Sequence, residues 1–417
     1  MNNLTRESLP EAIRQIVHQQ PITDMHTHLY PPEFGGLMLR GIDELLTYHY
    51  LVAEVMRWSD MSIEQFWMLN KQEQAEHIWQ KLFLEHSPVS EACRGVLTSI
   101  QAMGMDMKSR DLNQYRQFCA ALSAEEHINL LLQRSNVEHV VMTNDVFSTE
   151  ERNVWLSGKS IDSRFHAVLR LDPLLNDYSR TKSLLQGWGY QVEEEWSEIS
   201  QAEVRRFLLD WIDRMNPLYV AVSLPSTFVF PDDSDRSRLI ADCLLPVCRE
   251  RDLPFALMIG VKNKVHPALG DAGYYVGKAE TGALEHLLMR YPYNKFFVTM
   301  LSRENQHELT VLARKFRNLM VFGCWWFLNN PVLIGEMTRM RLELLGTSVI
   351  PQHSDARVFD QLLYKWSHSK QIISDVLIEK YSDIADTGWQ LEREEIERDV
   401  ADLLHNNFWN FLSKKLR

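Results

Sequence analysis

His26 and His28 stand two residues apart in the stretch Pro21-Ile22-Thr23-Asp24-Met25-His26-Thr27-His28-Leu29. On a β-strand alternate side chains point to the same face, so the two imidazoles project together. Two neutral imidazoles at a strand end make half of a divalent metal site. With fifteen histidines in 417 residues, the bare H-x-H spacing arises by chance about half a time per chain. The context therefore carries the weight. An apolar residue and Asp24 precede the pair, and an amphipathic stretch over residues 1–20, with Leu4, Leu9, Ile13, Ile16 and Val17 on one side, leads into it. Two satisfied surface histidines are the competing reading.

The other chemistry-bearing residues lie at the ends of later apolar runs. These ends read Leu169-Arg170-Leu171-Asp172-Pro173, Met300-Leu301-Ser302-Arg303-Glu304-Asn305, Gly323-Cys324-Trp325-Trp326 and Ile350-Pro351-Gln352-His353-Ser354-Asp355-Ala356-Arg357. A carboxylate at Asp355 beside two histidines completes a His₂-Asp set with open coordination positions. A catalytic metal needs such openings, and a structural zinc site avoids them. Asp355 can also take the proton of a hydroxyl or water held there; its competing use is to cap the following helix. Arg357 and Arg170 are the natural anion binders, because the planar guanidinium meets a carboxylate in two parallel hydrogen bonds. Arg303, next to Glu304, suits an ion pair better. Trp325, Trp326 and Trp366 can stack on the C–H face of a sugar or serve as wall. His353 shares the parity of Asp355 but lies deeper, as a buried histidine held by a neighbour. Leu45, His49, Val52 and Met56 form a helical stripe that puts His49 in a helix seam. Tyr50 sits beside that stripe, with a hydroxyl able to reach a cavity.

Positioning such groups takes strands that end together. Short apolar runs at 139–143, 165–171, 218–224, 254–260, 295–300, 319–323 and 347–353 alternate with helix-length connections. With the strand of His26 and His28 they number eight, the pattern of a parallel sheet covered on both faces. The expected fold is α/β, a (β/α)₈ TIM barrel, with a doubly wound open sheet as its competitor. Between the first and second strands, residues 42–132 read as helical throughout, a large insertion over 34–133 within one domain spanning 1–417. A second helical insertion covers 177–215. Extra C-terminal helices are expected around 372–380 and 392–412, the latter with Ile396, Val400, Leu403 and Leu404 on one face.

The net charge of −12, with no basic block, argues against nucleic acid and anionic membrane as partners. An anionic substrate must then be met by local arginines. The five cysteines, scattered and in no C-x-x-C pair, point to a reduced, cytoplasmic protein. No apolar run approaches the ~20 residues that cross a bilayer. The fourth run ends in Ser223-Leu224-Pro225, without the lysine that would carry a bridging carbamate, and neither the fifth nor the sixth ends directly in histidine. One metal, not two, is what the ligands can hold. Neither a Gly-rich phosphate loop nor a serine nucleophile elbow is present.

The H-x-H strand, the strand-eight aspartate and the eight-strand rhythm resemble the amidohydrolase superfamily. Thr23-Asp24-Met25-His26-Thr27-His28-Leu29, Thr47-Tyr48-His49-Tyr50-Leu51, Leu169-Arg170-Leu171-Asp172-Pro173, Gly323-Cys324-Trp325-Trp326-Phe327 and Gln352-His353-Ser354-Asp355-Ala356-Arg357 are similar to the uronate isomerases, in a divergent branch first found in Bacillus. The resemblance runs from about residue 20 to the C-terminus. It implies interconversion of D-glucuronate with D-fructuronate and of D-galacturonate with D-tagaturonate, with one divalent metal such as Zn²⁺. By position it implies His26, His28 and Asp355 as metal ligands, Asp355 also as base, and His49, Tyr50, Arg170 and Arg357 as residues that hold the sugar acid. The residues suit that reaction in their own right. Aldose–ketose isomerisation through a cis-enediol needs one base reaching C1 and C2 and a donor for the carbonyl oxygen. Asp355 supplies the base, Arg357 the cation, Tyr50 and His49 hydrogen bonds, and Trp326 and Trp366 stacking faces. The alternative is an amidohydrolase-type hydrolase acting on a small carboxylated substrate. A homo-oligomer is expected.

Overall fold

The computed structural model describes residues 3–416, so the first two residues of the N-terminal amphipathic stretch lie outside it. After β1 (Asn3–Leu4) comes α1 (Leu9–Gln19), with Leu9, Ile13, Ile16 and Val17 buried at helical spacing. β2 (Ile22–Thr27) is buried along its whole length. The region expected to be helical then folds as short helices, beginning with α2 (Ile42–Leu46) and α3 (His49–Val55).

A single helix carrying Leu45, His49, Val52 and Met56 is not what forms. The chain breaks at Thr47–Tyr48, where the Thr47 hydroxyl donates back to the Asp43 carbonyl at 2.7 Å and Tyr48 turns extended at φ −64°, ψ 142°. Such hydroxyl back-bonding competes with the helical ladder. His49 thereby becomes the first residue of α3 and is taken out of the helix seam.

The strands that follow are β3 (Val137–Met142), β4 (Asn144–Asp145), β5 (Phe165–His166), β6 (Leu169–Arg170), β7 (Val220–Pro225), β8 (Phe255–Lys262), β9 (Tyr275–Val276), β10 (Phe296–Met300) and β11 (Leu319–Val321). They are followed by α4 (Gln361–Asp386) and by β12 (Leu391–Glu392), which pairs antiparallel with β1. All other pairings are parallel except β9 on β8. The ladders form a three-stranded sheet, β2-β3-β5, and a seven-stranded one ordered β11-β10-β8-β7-β6-β4 with β9 on β8. This is an α/β fold of buried parallel strands, whose near-continuous apolar runs (Phe-Phe-Val-Thr-Met in β10) follow from burial on both faces.

Two expected strands are not continuous. The run 165–171 splits because Asn144 Oδ1 accepts the Val168 N–H, interrupting the ladder between β5 and β6. The eighth run, 347–353, is reduced to one bridge, Phe322 with Ile350. Side chains take its other backbone groups: Gln352 Oε1 accepts from the Cys324 and His353 N–H, and Asp24 Oδ1 from that of Ser354. No closed ring of ladders is present among the described residues. Even so, this segment bonds to β11 through Ile350 N–H to the Val321 carbonyl, and to the end of β2 through Asp355 N–H to the His26 carbonyl and His28 N–H to the Ala356 carbonyl.

One large core lies around the sheets, and a second, of Ile42, Leu46, Phe66, Trp79 and Tyr115, fills the helices before β3. α4 touches both. Its Leu362, Trp366 and Ile373 enter the first core and its Tyr364 the second, where the absence of a side chain at Gly95 admits the Tyr364 ring. Later helices match expectation, with Tyr178–Gly187 and Glu198–Met215 in the second insertion and Ile396, Val400, Leu403 and Leu404 buried near the C-terminus. All five cysteines are free and buried. Among the described residues no helix is long and apolar enough to cross a membrane.

A polar chain with His127 and Asp360 fully buried ties the helices before β3 to α4. Arg40 donates to His127 Nδ1 at 3.1 Å, so the His127 proton sits on Nε2, which donates to Asp360 Oδ1 at 3.1 Å; Asp360 Oδ2 accepts the Gly41 N–H at 2.7 Å. Removing one member of such a network strands the others in low dielectric. Asp360→Ala is therefore expected to cost about 3–5 kcal/mol of stability in urea denaturation. A loss below about 1 kcal/mol would mean the network does not hold those helices down.

Candidate active site

Below the end of β2, Asp24 sets the register of the site. It is fully buried, and burial pushes its carboxyl up to about 6, against the hydrogen bonds from the Ser354 N–H (3.0 Å) and Trp366 Nε1–H (2.8 Å) that favour the carboxylate. The first bond binds β2 to the segment carrying Asp355 and the second binds it to α4. Asp355 itself adopts φ +53°, a left-handed conformation that aspartate tolerates better than most residues. It does not cap a helix, since Asp360 occupies that position at the start of α4.

The result is a convergence of three donor atoms. Asp355 Oδ1 lies 3.5 Å from His26 Nε2 and 3.4 Å from His28 Nε2. Thr143 fixes the His28 tautomer. Its hydroxyl proton goes to the Thr27 carbonyl at 2.9 Å, so Oγ1 must accept from His28 Nδ1–H, also at 2.9 Å, leaving Nε2 bare. Burial, ahead of the nearby Arg357 charge, pushes His28 down to about 3, so it is a neutral imidazole at physiological pH. Burial alone would raise the Asp355 carboxyl, but the facing imidazoles His26 and His28 hold it well below the usual carboxylate range. Oδ1 of Asp355 and Nδ1 of His26 are buried without a hydrogen-bond partner. Two imidazoles and a carboxylate, with ligand atoms within 4.8 Å of one another, fit a divalent cation.

Beneath this trio lies His353, fully buried and edge-on to His26 with ring centroids 5.1 Å apart. It is not held by a polar neighbour, for neither ring nitrogen has a partner. The close approach of Gly323, at φ +62°, makes room for it; a Cβ there would collide with the imidazole.

Above the trio opens a cavity of about 550 Å³. His26, His28, His49, Arg170, Trp325, Trp326, Asp355 and Arg357 all line it. His49 Nε2 accepts the Trp326 indole N–H at 3.1 Å, so its own proton sits on Nδ1. Burial and the Arg357 charge hold His49 well below its usual range, as a neutral donor. Arg170 is gripped in a fork by Asp172 at 2.8 and 2.9 Å and reaches Ser223 Oγ at 3.4 Å. Arg357 meets Asp271 at 3.2 Å from a loop across the mouth. Both arginines are paired, yet both line the cavity.

Tyr50 and Trp366 do not line this cavity. The break before α3 turns Tyr50 behind His49, where the Lys365 ammonium lies 5.4 Å from its ring. Trp366 is buried and spends its indole N–H on Asp24. Arg303 forms the expected ion pair, but with Glu336 at 3.0 Å and not with the adjacent Glu304. Tyr48, Asp172, Tyr274, Asn176 and Arg236 line the cavity without having been singled out. The Thr-Tyr-His-Tyr stretch held the signal for Tyr48, but an unbroken helix would have turned it away.

No protein-family model and no curated protein matches the chain. Among solved structures, a uronate isomerase from Bacillus halodurans is similar at 63% identity and TM-score 0.97, over 99% of this chain and 98% of that one. A glucuronate isomerase from Caulobacter crescentus follows at 16% identity and TM-score 0.78, over 98% and 94% of the two chains. A uronate isomerase from Thermotoga maritima matches at 15% identity and TM-score 0.77, over 97% of each. The last two likenesses speak to the fold alone.

Because Thr143 presents Nε2 of His28, Thr143→Val is expected to weaken divalent-metal binding about 10–100-fold while leaving the fold intact. Titration of the metal-free protein with Zn²⁺ against a chromophoric chelator reads this directly. Unchanged affinity would remove the hydroxyl from the account.

Proposed function

The chain belongs to the uronate isomerase family, and on that premise we propose that it interconverts D-glucuronate with D-fructuronate and D-galacturonate with D-tagaturonate. The observation that carries this reading is the open trio of His26, His28 and Asp355 under a cavity walled by Arg170 and Arg357. Family membership favours isomerisation over the hydrolytic alternative. We also read the parallel strands as one (β/α)₈ barrel over residues 1–417, with 34–133 as an insertion. The hydrogen bonds from segment 350–356 to both β11 and β2 support closure. In such a barrel the site lies at the C-terminal strand ends, as it does here. The five unpaired thiols support a reducing, cytoplasmic setting.

In the proposed mechanism Arg170 and Arg357 receive the substrate carboxylate and an adjacent oxygen through charge-assisted hydrogen bonds. Asp355, a carboxylate at neutral pH, takes the proton from C2 of the open-chain aldose. The C2–H electron pair becomes the C1–C2 double bond of a cis-enediol as the carbonyl oxygen is protonated. Asp355 then returns a proton to C1 while the C2 hydroxyl gives up its own, leaving the ketose. His49, donating through Nδ1, and Arg357 are the groups able to stabilise oxygen charge that develops between these steps. A divalent cation, Zn²⁺ in our reading, would be held by His26, His28 and Asp355 and would supply Lewis-acid polarisation of the substrate oxygens. The exposed face of Trp326 offers the sugar a stacking surface.

Incubation with glucuronate and galacturonate, with and without chelator, is expected to yield the 2-ketose, with chelation lowering the rate. Absence of ketose from either acid, or release of a cleaved carboxylate or amine from a model hydrolase substrate, would overturn the reading. Asp355→Asn is expected to lower kcat by about 10²–10⁴-fold. In deuterated water the product should carry solvent label at C1; single-turnover product free of deuterium would argue for hydride transfer instead.

A further inference from the structure

At the opposite end of β2 and β3 from His28 and Asp355, a second group of imidazoles gathers. His139 Nδ1 lies 3.0 Å from His166 Nε2 on the neighbouring β5, and His405, brought in by the C-terminal helices, lies tilted beside His139 with ring centroids 5.8 Å apart. Glu138, an exposed residue of β3, precedes His139. One donor atom from each of Glu138, His139 and His405 lies within 4.8 Å of the other two. Nothing in the isomerase reading uses these residues. Thr23, which is paired with His139 in the β2–β3 register, lies three residues before His26, about 10 Å along the strand from the active site.

From this geometry we infer a divalent transition-metal site formed by Glu138, His139 and His405. The imidazoles are tied in the way that metal-bound histidines are, each with one nitrogen oriented and the other left over. His405 Nδ1 lies 2.9 Å from Thr23 Oγ1, which also accepts the Trp409 indole N–H at 3.0 Å. A metal at His405 Nε2 selects the tautomer in which Nδ1 donates to one lone pair of Thr23 Oγ1 while the indole N–H takes the other. A metal at His139 Nε2 likewise selects the tautomer in which His139 Nδ1 donates to His166 Nε2. Ligands about 2.0–2.1 Å from a tetrahedral zinc sit about 3.3 Å apart, so the three need close by only an ångström or so, and Glu138 is exposed and free to swing in. Imidazole with one carboxylate selects Zn²⁺, Ni²⁺ or Cu²⁺ over Mg²⁺ or Ca²⁺. His405 also lies in a π-helical turn, Asp402–Asn406, a local widening common at functional sites. The buried Cys119, His127 and Asp360 set offers a contrast. It has comparable spacing, but Arg40 and Asp360 use both nitrogens of its imidazole. A cation at the first site would staple the C-terminal helices to the start of β3.

The test uses the full-length, chelator-stripped protein titrated with Zn²⁺ alone against a chromophoric chelator. Two equivalents are expected to bind the wild type. In the His28→Ala background, which disables the active-site ligands, one equivalent should remain and should raise the unfolding temperature. Adding Glu138→Gln or His405→Gln to that background should weaken the remaining equivalent at least tenfold and abolish the thermal shift. Glu138→Gln alone, on an exposed side chain, should leave isomerase turnover unchanged. A single equivalent in the wild type, or a second one indifferent to both Glu138→Gln and His405→Gln, would overturn the inference without touching the isomerase reading.

Discussion

A buried carboxylate without a counter-charge holds this site together. Asp24 lies inside the protein, where desolvation disfavours its ionised form, and it is satisfied by a backbone N–H from one chain segment and an indole N–H from another. The first joins the strand of His26 and His28 to the segment of Asp355, more than three hundred residues later, and the second ties that strand to α4. An interior hydrogen bond to a charged acceptor is worth about 1.5–3 kcal/mol, and an unsatisfied buried donor costs a comparable amount. The geometry of the trio therefore rests on a residue that never reaches the cavity. Trp366, expected as a stacking surface for sugar, instead keeps Asp24 in place.

The cavity follows a similar division. Groups that present chemistry are backed by partners that use up their other hydrogen-bonding capacity. Thr143 consumes its own proton on the Thr27 carbonyl and so dictates which nitrogen of His28 is free. Trp326 occupies Nε2 of His49 and leaves Nδ1–H. Asp172 grips Arg170 on two sides, which holds the guanidinium plane while leaving its charge in the cavity wall. In the proposed mechanism, pre-organisation of this kind would let one carboxylate serve two adjacent carbons without rearrangement of its surroundings.

Much of this was legible residue by residue. The apolar runs of the parallel strands, the helical texture of 42–132, the amphipathic α1 and the C-terminal face of Ile396, Val400, Leu403 and Leu404 follow from periodicity, which local sequence carries. Asp355 and the histidine pair stood out because strand ends are where parallel folds put their chemistry. What misled was local competition. A threonine hydroxyl broke the helix at Thr47 and exchanged Tyr50 for Tyr48 in the cavity. Likewise an asparagine and a glutamine side chain intercepted ladder bonds and thinned two strands.

By itself the sequence determined where most strands and helices fall and which residues carry titratable and metal-ligating groups. Those properties depend on side-chain type and on periods of two or 3.6 residues, which neighbours in the chain suffice to define. Only the tertiary structure decided which nitrogen of each histidine is free, which tryptophan faces the cavity, and that Glu138, His139 and His405 meet at the far end of the strands. Each of these depends on a partner far away in the chain, such as Thr143 for His28 or Thr23 for His405. No local pattern encodes such a partner until the strands have been set side by side.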